Sequence, residues 1–180
     1  MTELAEMTRL EAALFLAKEP VPSRRLAQLA DIADASRVRA LLRDLNQRYL
    51  ADNSAFGVVE VAGGYQLRTR PEFASWLFRL QEVPVEVRLS PAAMETLAII
   101  AYRQPILRAK IEEIRGVQSG EMLRQLLEMD LIRVAGRVDE PGRPFLYGTT
   151  KRFLQVFGLV KIDDLPQSDE LSQENADEQP

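Results

Sequence analysis

The chain changes its hydrophobic period from 3.6 to 2 twice, each time after the same order of segments, and this repetition limits the folds open to it more than any other feature. In residues 4–18, Leu10, Ala13, Leu14 and Ala17 recur at helical spacing, and Pro20 closes the segment. Ser23 is expected to cap a short helix in which Leu26, Leu29 and Ala30 share a face. Asp34 or Ser36 then caps a third helix, with Val38, Leu41, Leu42, Leu45 and Tyr49 along its buried side. After Asn53 the spacing becomes that of strands. Two runs in 57–68 flank Gly63 and Gly64. A two-residue Gly-Gly turn would place Glu60 opposite Leu67, whereas a three-residue loop, Ala62-Gly63-Gly64, sets Val61 opposite Tyr65 and Val59 opposite Leu67. The second register is preferred because it gathers the apolar residues. A helix over 71–81, opened by Pro71, carries Phe73, Trp76, Leu77 and Leu80.

An extended linker over 83–89 follows, and the plan begins again. Ser90-Pro91 is an N-cap with proline at the first helical position, ahead of a helix with Met94, Leu97, Ala98 and Ala101 on one face. A short helix over 106–115 ends at Gly116, and a third runs over 119–129. Strand-like residues 132–134 and 145–147 flank a loop whose Pro141-Gly142 suits the centre of a type II turn. A last helix, Lys151–Phe157, stops at Gly158. The halves align in places, with Leu26 over Ile111 and Leu29 over Ile114. Three helices, a hairpin and a helix, repeated, describe an α+β, mainly helical chain of tandem winged-helix domains, with boundaries expected at 1–82 and 90–162. Each half has only about 80 residues, a size that buries some 60% of its unfolded surface, so each gains from a neighbour or a second subunit.

Composition narrows the chemistry. The 180 residues include no histidine and no cysteine, which removes the usual zinc and haem ligands, the thiolate nucleophile and the imidazole base. The expectation is therefore a protein without catalytic residues, metal or cofactor. The longest apolar run, 97–101, falls far short of the roughly 20 residues of a spanning helix, and the acidic start is unlike a secretory signal, so a cytoplasmic protein with no membrane partner is expected. Net charge is −4, but residues 163–180 hold seven acids and no lysine or arginine. That stretch reads as a disordered acidic tail on a body with 23 basic and 20 acidic residues. Arginine outnumbers lysine 19 to 4, which favours bidentate pairing within an interface.

A winged helix invites the question of DNA reading through its third helix. In the first half Ser36, Arg39, Arg43 and Asn46 or Gln47 lie outward, with Arg37 and Arg48 nearby, and that face could meet phosphates. The second half offers Glu121, Arg124, Gln125 and Glu128, an acidic set, and its wing mixes Arg137 and Arg143 with Asp139 and Glu140. A DNA-binding transcriptional regulator is thus the alternative rather than the leading reading. Adjacent Glu112 and Glu113 point about 100° apart and make no acid/base pair. Trp76 and Phe73 are expected to seal the first core, while Tyr102 and Tyr147 could be buried or could anchor a peptide.

Specific runs then resemble one family. Residues 89–105, from Leu89-Ser90-Pro91 through Ala101-Tyr102-Arg103-Gln104-Pro105, and Ile114-Arg115-Gly116-Val117 are similar to the segregation and condensation protein B family, ScpB. So are Gly136-Arg137, Gly142-Arg143-Pro144-Phe145-Leu146-Tyr147-Gly148-Thr149-Thr150, Phe157-Gly158-Leu159 and Asp164-Leu165-Pro166. The likeness runs in order from Leu89 to Pro166, with a looser match in the first half. What it implies is a non-enzymatic subunit of the bacterial condensin-like complex, a homodimer that binds the kleisin ScpA and sits through it near Smc on chromosomal DNA. Its role would be chromosome condensation and partition during cell division, nucleoid-associated in the cytoplasm. The family's pattern gives dimerisation chiefly to the first domain and kleisin contact largely to the second. Glu95, Tyr102, Arg115, Arg137, Arg143 and Tyr147, taken from the matching runs, are the candidate kleisin contacts.

Overall fold

The computed structural model describes residues 3–77, 79 and 89–166. The chain divides into two units, Met1–Glu86 and Val87–Pro180. The first opens with α1 (Glu3–Leu16), α2 (Ser23–Ala30) and α3 (Ala35–Ala51). Asp34 caps α3, its carboxylate accepting from the N–H groups of Ser36 (2.7 Å) and Arg37 (2.9 Å). These bonds favour the charged form and hold the Asp34 carboxyl below its ordinary range. Ser23 does not cap α2. The N-cap there is Pro22, without a side-chain bond, and Ser23 is the first helical residue.

Met7, Leu10, Leu14, Leu26, Ala30, Val38, Leu41, Leu42 and Leu45 form the first core. They come from the apolar stripes of α1, α2 and α3, with the flat side of a hairpin closing over them. The helical stripe of α2 is Leu26, Ala27 and Ala30, and Leu29 points outward instead. Strand β1 (Phe56–Val61) pairs antiparallel with β2 (Gly64–Thr69), Val58 opposite Leu67 and Glu60 opposite Tyr65. Neither sequence register is adopted. The turn has two residues, Ala62 and Gly63, both at positive φ (51° and 72°), the signature of a type I′ turn that matches strand twist. Gly64 is left to begin β2, and the reason is close approach. A Cβ there would lie 2.8 to 2.9 Å from the backbone of Pro20 and Val21, because Val21 bridges to Tyr65 as a one-residue third strand. Asn46 fastens α3 to the hairpin, its side chain donating to the Val58 carbonyl and accepting from the Val58 N–H, both at 2.7 Å. A 3-10 turn, Pro71–Phe73, leads into α4 (Ala74–Leu77), where Trp76 is 59% exposed and Phe73 half-buried, so Trp76 does not seal this core. Leu80 and residues 83–88 of the expected linker lie outside the described residues.

The second unit repeats the order with a fuller sheet. In α5 (Pro91–Arg103) Ser90 caps through Oγ, which accepts from the Ala93 N–H at 3.2 Å, and Pro91 takes the first position. Its buried face is Ala93, Thr96, Leu97, Ile100 and Ala101, so Met94 and Ala98 of the expected face stand outside. Strand β3 (Ile106–Leu107) occupies the start of the segment expected to be helical, and α6 (Arg108–Arg115) follows, ended by Gly116 at φ 70°. After α7 (Gly120–Glu128), β4 (Ile132–Arg137) and β5 (Phe145–Thr149) form the wing, giving the sheet order β3-β5-β4 with a bulge between Val134 and Gly136. At the wing tip the Arg143 N–H donates to the Glu140 carbonyl at 2.8 Å, with Gly142 at φ 86°, as a type II turn requires. Helix α8 (Lys151–Phe157) is capped by Thr150 and closed by Gly158. The packed body does not stop at residue 162. Ile162–Asp164 form a 3-10 turn, Leu165 packs on the second core, and the Tyr102 hydroxyl donates to the Pro166 carbonyl at 2.6 Å. The first four residues of the expected tail are therefore ordered, and the rest, 167–180, lie outside the described residues.

Candidate functional site

The six candidate residues divide by exposure, with Tyr147 and the Arg115 side chain buried and the other four exposed, although Glu95, Tyr102 and Arg137 also contact their own unit. Tyr147 sits on β5 opposite Ile106 on one side and Val134 on the other, and is buried in the second core. Arg115, at the end of α6, has a side chain only 6% exposed. Its Nε donates to a Glu95 carboxylate oxygen at 3.0 Å and its Nη1 to the Ser119 hydroxyl at 3.1 Å. Ser119 is fully buried, and its N–H donates to Glu112 Oε1 at 2.9 Å, which also accepts from Arg108 Nε at 2.8 Å. The chain of contacts from Glu95 to Arg108 thus ties α5, α6 and the start of α7 together. It also holds the Glu112 carboxyl below its ordinary value, through the Ser119 N–H first and the Arg108 guanidinium second. Its Arg108–Glu112 pair has the i, i+4 spacing of one helix, but Glu95 and Ser119 come from other elements and no sequence spacing announces them.

The outward group comprises Glu95, Tyr102, Arg137 and Arg143. Glu95 and Tyr102 share α5 with Met94 and Ala98, and these four lie one or two turns apart on the exposed side of the helix. The result is an apolar strip bordered by a carboxylate. Sequence reading missed Met94 and Ala98 because an apolar pattern does not say which of two overlapping stripes is buried, and Thr96 was not counted as a core residue. Arg137 lies over the Phe145 ring, with the guanidinium carbon 4.3 Å from the centroid, so it rests on its own wing. Arg143 occupies the wing turn at φ 42°.

In the first unit a second apolar surface was not foreseen. Ala12, Ala13, Leu16, Ala17, Val21 and Leu29, together with Arg9 and Arg25, line a shallow groove between α1 and α2. Phe15 and Leu16 beside it are 72% and 79% exposed. Leu29 and its counterpart in the second half, Ile114, are both about half exposed, 53% and 50%, so the internal repeat preserves an outward apolar residue as well as the buried pair Leu26 and Ile111. On α3, Ser36, Arg39, Arg43 and Gln47 face out, but Asn46 is turned to β1 and Arg37 pairs with Glu3 (3.3 Å) and Glu6 (3.1 Å). The cationic face is thus smaller than the sequence suggests. Among the described residues no buried side-chain nitrogen or oxygen lacks a partner, and no helix is long and apolar enough to cross a membrane.

Two tandem units of this topology, with engaged polar groups inside and apolar strips outside, coincide with one family. The family model for segregation and condensation complex subunit ScpB matches residues 8–168, which takes in both units. The chain belongs to the ScpB family. A segregation and condensation protein B from Syntrophotalea carbinolica is 52% identical over 157 residues, covering 87% of this chain and 79% of that one. The crystal structure of ScpB from Mycobacterium tuberculosis shares 31% identity over 88% of this chain and 98% of its own, with a TM-score of 0.43. A dimer of a ScpB N-terminal domain complexed with a ScpA peptide is 24% identical over 41% of this chain and 91% of its own, with a TM-score of 0.38. The ScpB match spans the wing residues Arg137 and Arg143 and the α5 strip alike.

Proposed function

We propose that this ScpB chain is a non-enzymatic subunit of the condensin-like Smc–ScpA–ScpB complex, acting in chromosome condensation and partition in the cytoplasm, at the nucleoid. It forms a homodimer through its first domain, residues 1–82, and receives the central segment of the kleisin ScpA on its second, residues 90–162. Smc and chromosomal DNA are reached through ScpA. The observation that carries this reading is the family match over both units rather than over one winged helix. The exposed α5 strip, Met94, Ala98 and Tyr102 with Glu95 at its border, supports a peptide-binding face where apolar side chains dock and charges sit at the rim. Arg137 and Arg143 on the wing are the arginine contacts of the same reading. Tyr147 and Arg115 support it from within, holding the wing and α6 in place.

Size-exclusion chromatography with light scattering tests it, on the chain alone and mixed with its cognate ScpA central fragment. A dimer alone and a stable co-eluting complex are expected, with co-elution weakened by Tyr102→Ala while the circular dichroism spectrum stays unchanged. A monomer that ignores ScpA and shifts with duplex DNA at physiological salt would replace this reading with a DNA-binding regulator.

A further inference from the structure

Met94 lies on the α5 strip that the proposed function gives to the kleisin, and it brings a sulfur atom to that strip as well as an apolar contact. The chain has no cysteine, so its five methionines hold all of its sulfur. Met7 is 3% exposed in the first core, Met122 is half-buried, and Met129 is packed against the second core. Met94, at 43%, is the one exposed methionine among the described residues, and Met1 lies outside them. An oxidant in solution therefore meets the Met94 thioether ahead of the other three, with no thiol to consume it first.

The position of Met94 on α5 decides what its oxidation changes. The helix packs inward through Ala93, Thr96, Leu97, Ile100 and Ala101, and Met94 adds nothing to that face. Ala98 and Tyr102 follow Met94 at four-residue intervals, about one turn each, and both are exposed. Methionine suits such a strip because its unbranched, polarizable side chain adapts to the contour of a docked peptide. Hydrogen peroxide alters it in one two-electron step. The sulfur lone pair attacks one peroxide oxygen, the O–O bond breaks as the S–O bond forms, and the other oxygen leaves as water with both hydrogens. The thioether is thereby oxidised to the sulfoxide, which is polar, and the peroxide is reduced. The new oxygen is a hydrogen-bond acceptor on an apolar strip, and covering it without a donor is costly.

We propose that Met94 is an oxidation-sensitive contact, and that its conversion to the sulfoxide by hydrogen peroxide weakens kleisin binding at α5 while the second unit stays folded. This rests on α5 being the ScpA face. Peptide mass spectrometry after graded peroxide follows each methionine, on the full chain alone and with its cognate ScpA central fragment. In the chain alone Met94 should be oxidised ahead of Met7, Met122 and Met129, and bound ScpA should slow it. Calorimetric titration with ScpA, after catalase has removed the peroxide, should show binding weakened about tenfold or more with an unchanged circular dichroism spectrum. A methionine sulfoxide reductase should restore the affinity. Met94→Leu has no sulfur at this position, so whatever affinity it starts from should survive the same treatment. An equal loss in Met94→Leu, or no loss in the parent once Met94 is fully converted, would overturn the proposal, and protection of Met94 by ScpA would still uphold the α5 face. Loss of helical signal on treatment would also overturn it, since the weakening would then come from unfolding. Met94 oxidised equally fast with and without bound ScpA would overturn both, because the kleisin would then lie elsewhere.

Discussion

At the residue scale, one ionised carboxylate, Glu112, joins α6 to the start of α7. It accepts from the Ser119 N–H and from Arg108, and both contacts are made only to the charged form at full strength. Because the folded pKa lies below the ordinary 4.5, the contribution is present above that value and is lost as pH falls through the folded pKa. Glu112→Gln should therefore lower the urea midpoint at neutral pH, and the gap between variant and parent should narrow below about pH 4.5. A gap that keeps its size into acid would mean that Glu112 acts through packing alone. Asp34 is depressed by its two backbone bonds and works in the same direction in the first unit. Acid destabilisation should thus appear in both units.

At the scale of elements, two neighbouring glycines do different work. Gly63 sits at φ 72° with open space around it, while Gly64 lies against the backbone of Pro20 and Val21. Gly63→Ala should cost about 1 kcal/mol through its strained φ. Gly64→Ala should cost roughly 2 to 3 kcal/mol, because the clash is with main chain that must move and so breaks the Val21 bridge. Urea denaturation of the two variants checks the order, and a reversed order would return the turn to residues 63 and 64. This pair also explains what the sequence disclosed and what it withheld. Helix starts and stops were legible at Ser90-Pro91, Gly116 and Gly158, and to within two residues at the start of α3, since each depends on chemistry local to a few residues. The hairpin register was not, because it is set by a third strand some forty residues earlier in the chain. Burial of Leu29, Met94 and Trp76 was misjudged for a related reason. A small domain cannot hide every apolar residue it carries, and only its tertiary packing decides which stay out. Of the exposed residues on α5, Tyr102 and Glu95 were named as candidate contacts through the family resemblance, and the outward position of Met94 and Ala98 became visible only once the buried stripe was known.

At the scale of the whole molecule, the placement of exposed apolar residues argues for assembly through the first unit. Phe15 and Leu16 end α1 with most of their surface in water, and Leu29 stands across the groove from them. None of the three belongs to the first core, so nothing inside the unit requires them to be large and apolar. An exposed apolar patch of this kind is kept when it is covered in the working state, and a unit of about 80 residues has reason to be covered. Phe15→Glu with Leu16→Glu should therefore convert the proposed dimer to a monomer in light scattering. Because both side chains are outside the core, the change should leave the circular dichroism spectrum intact and cost the isolated unit no more than about 0.5 kcal/mol. A variant that stays dimeric would move the dimer interface off this groove. Loss of helical signal instead would show that the end of α1 is needed by its own unit, and the two results are separable in one pair of measurements.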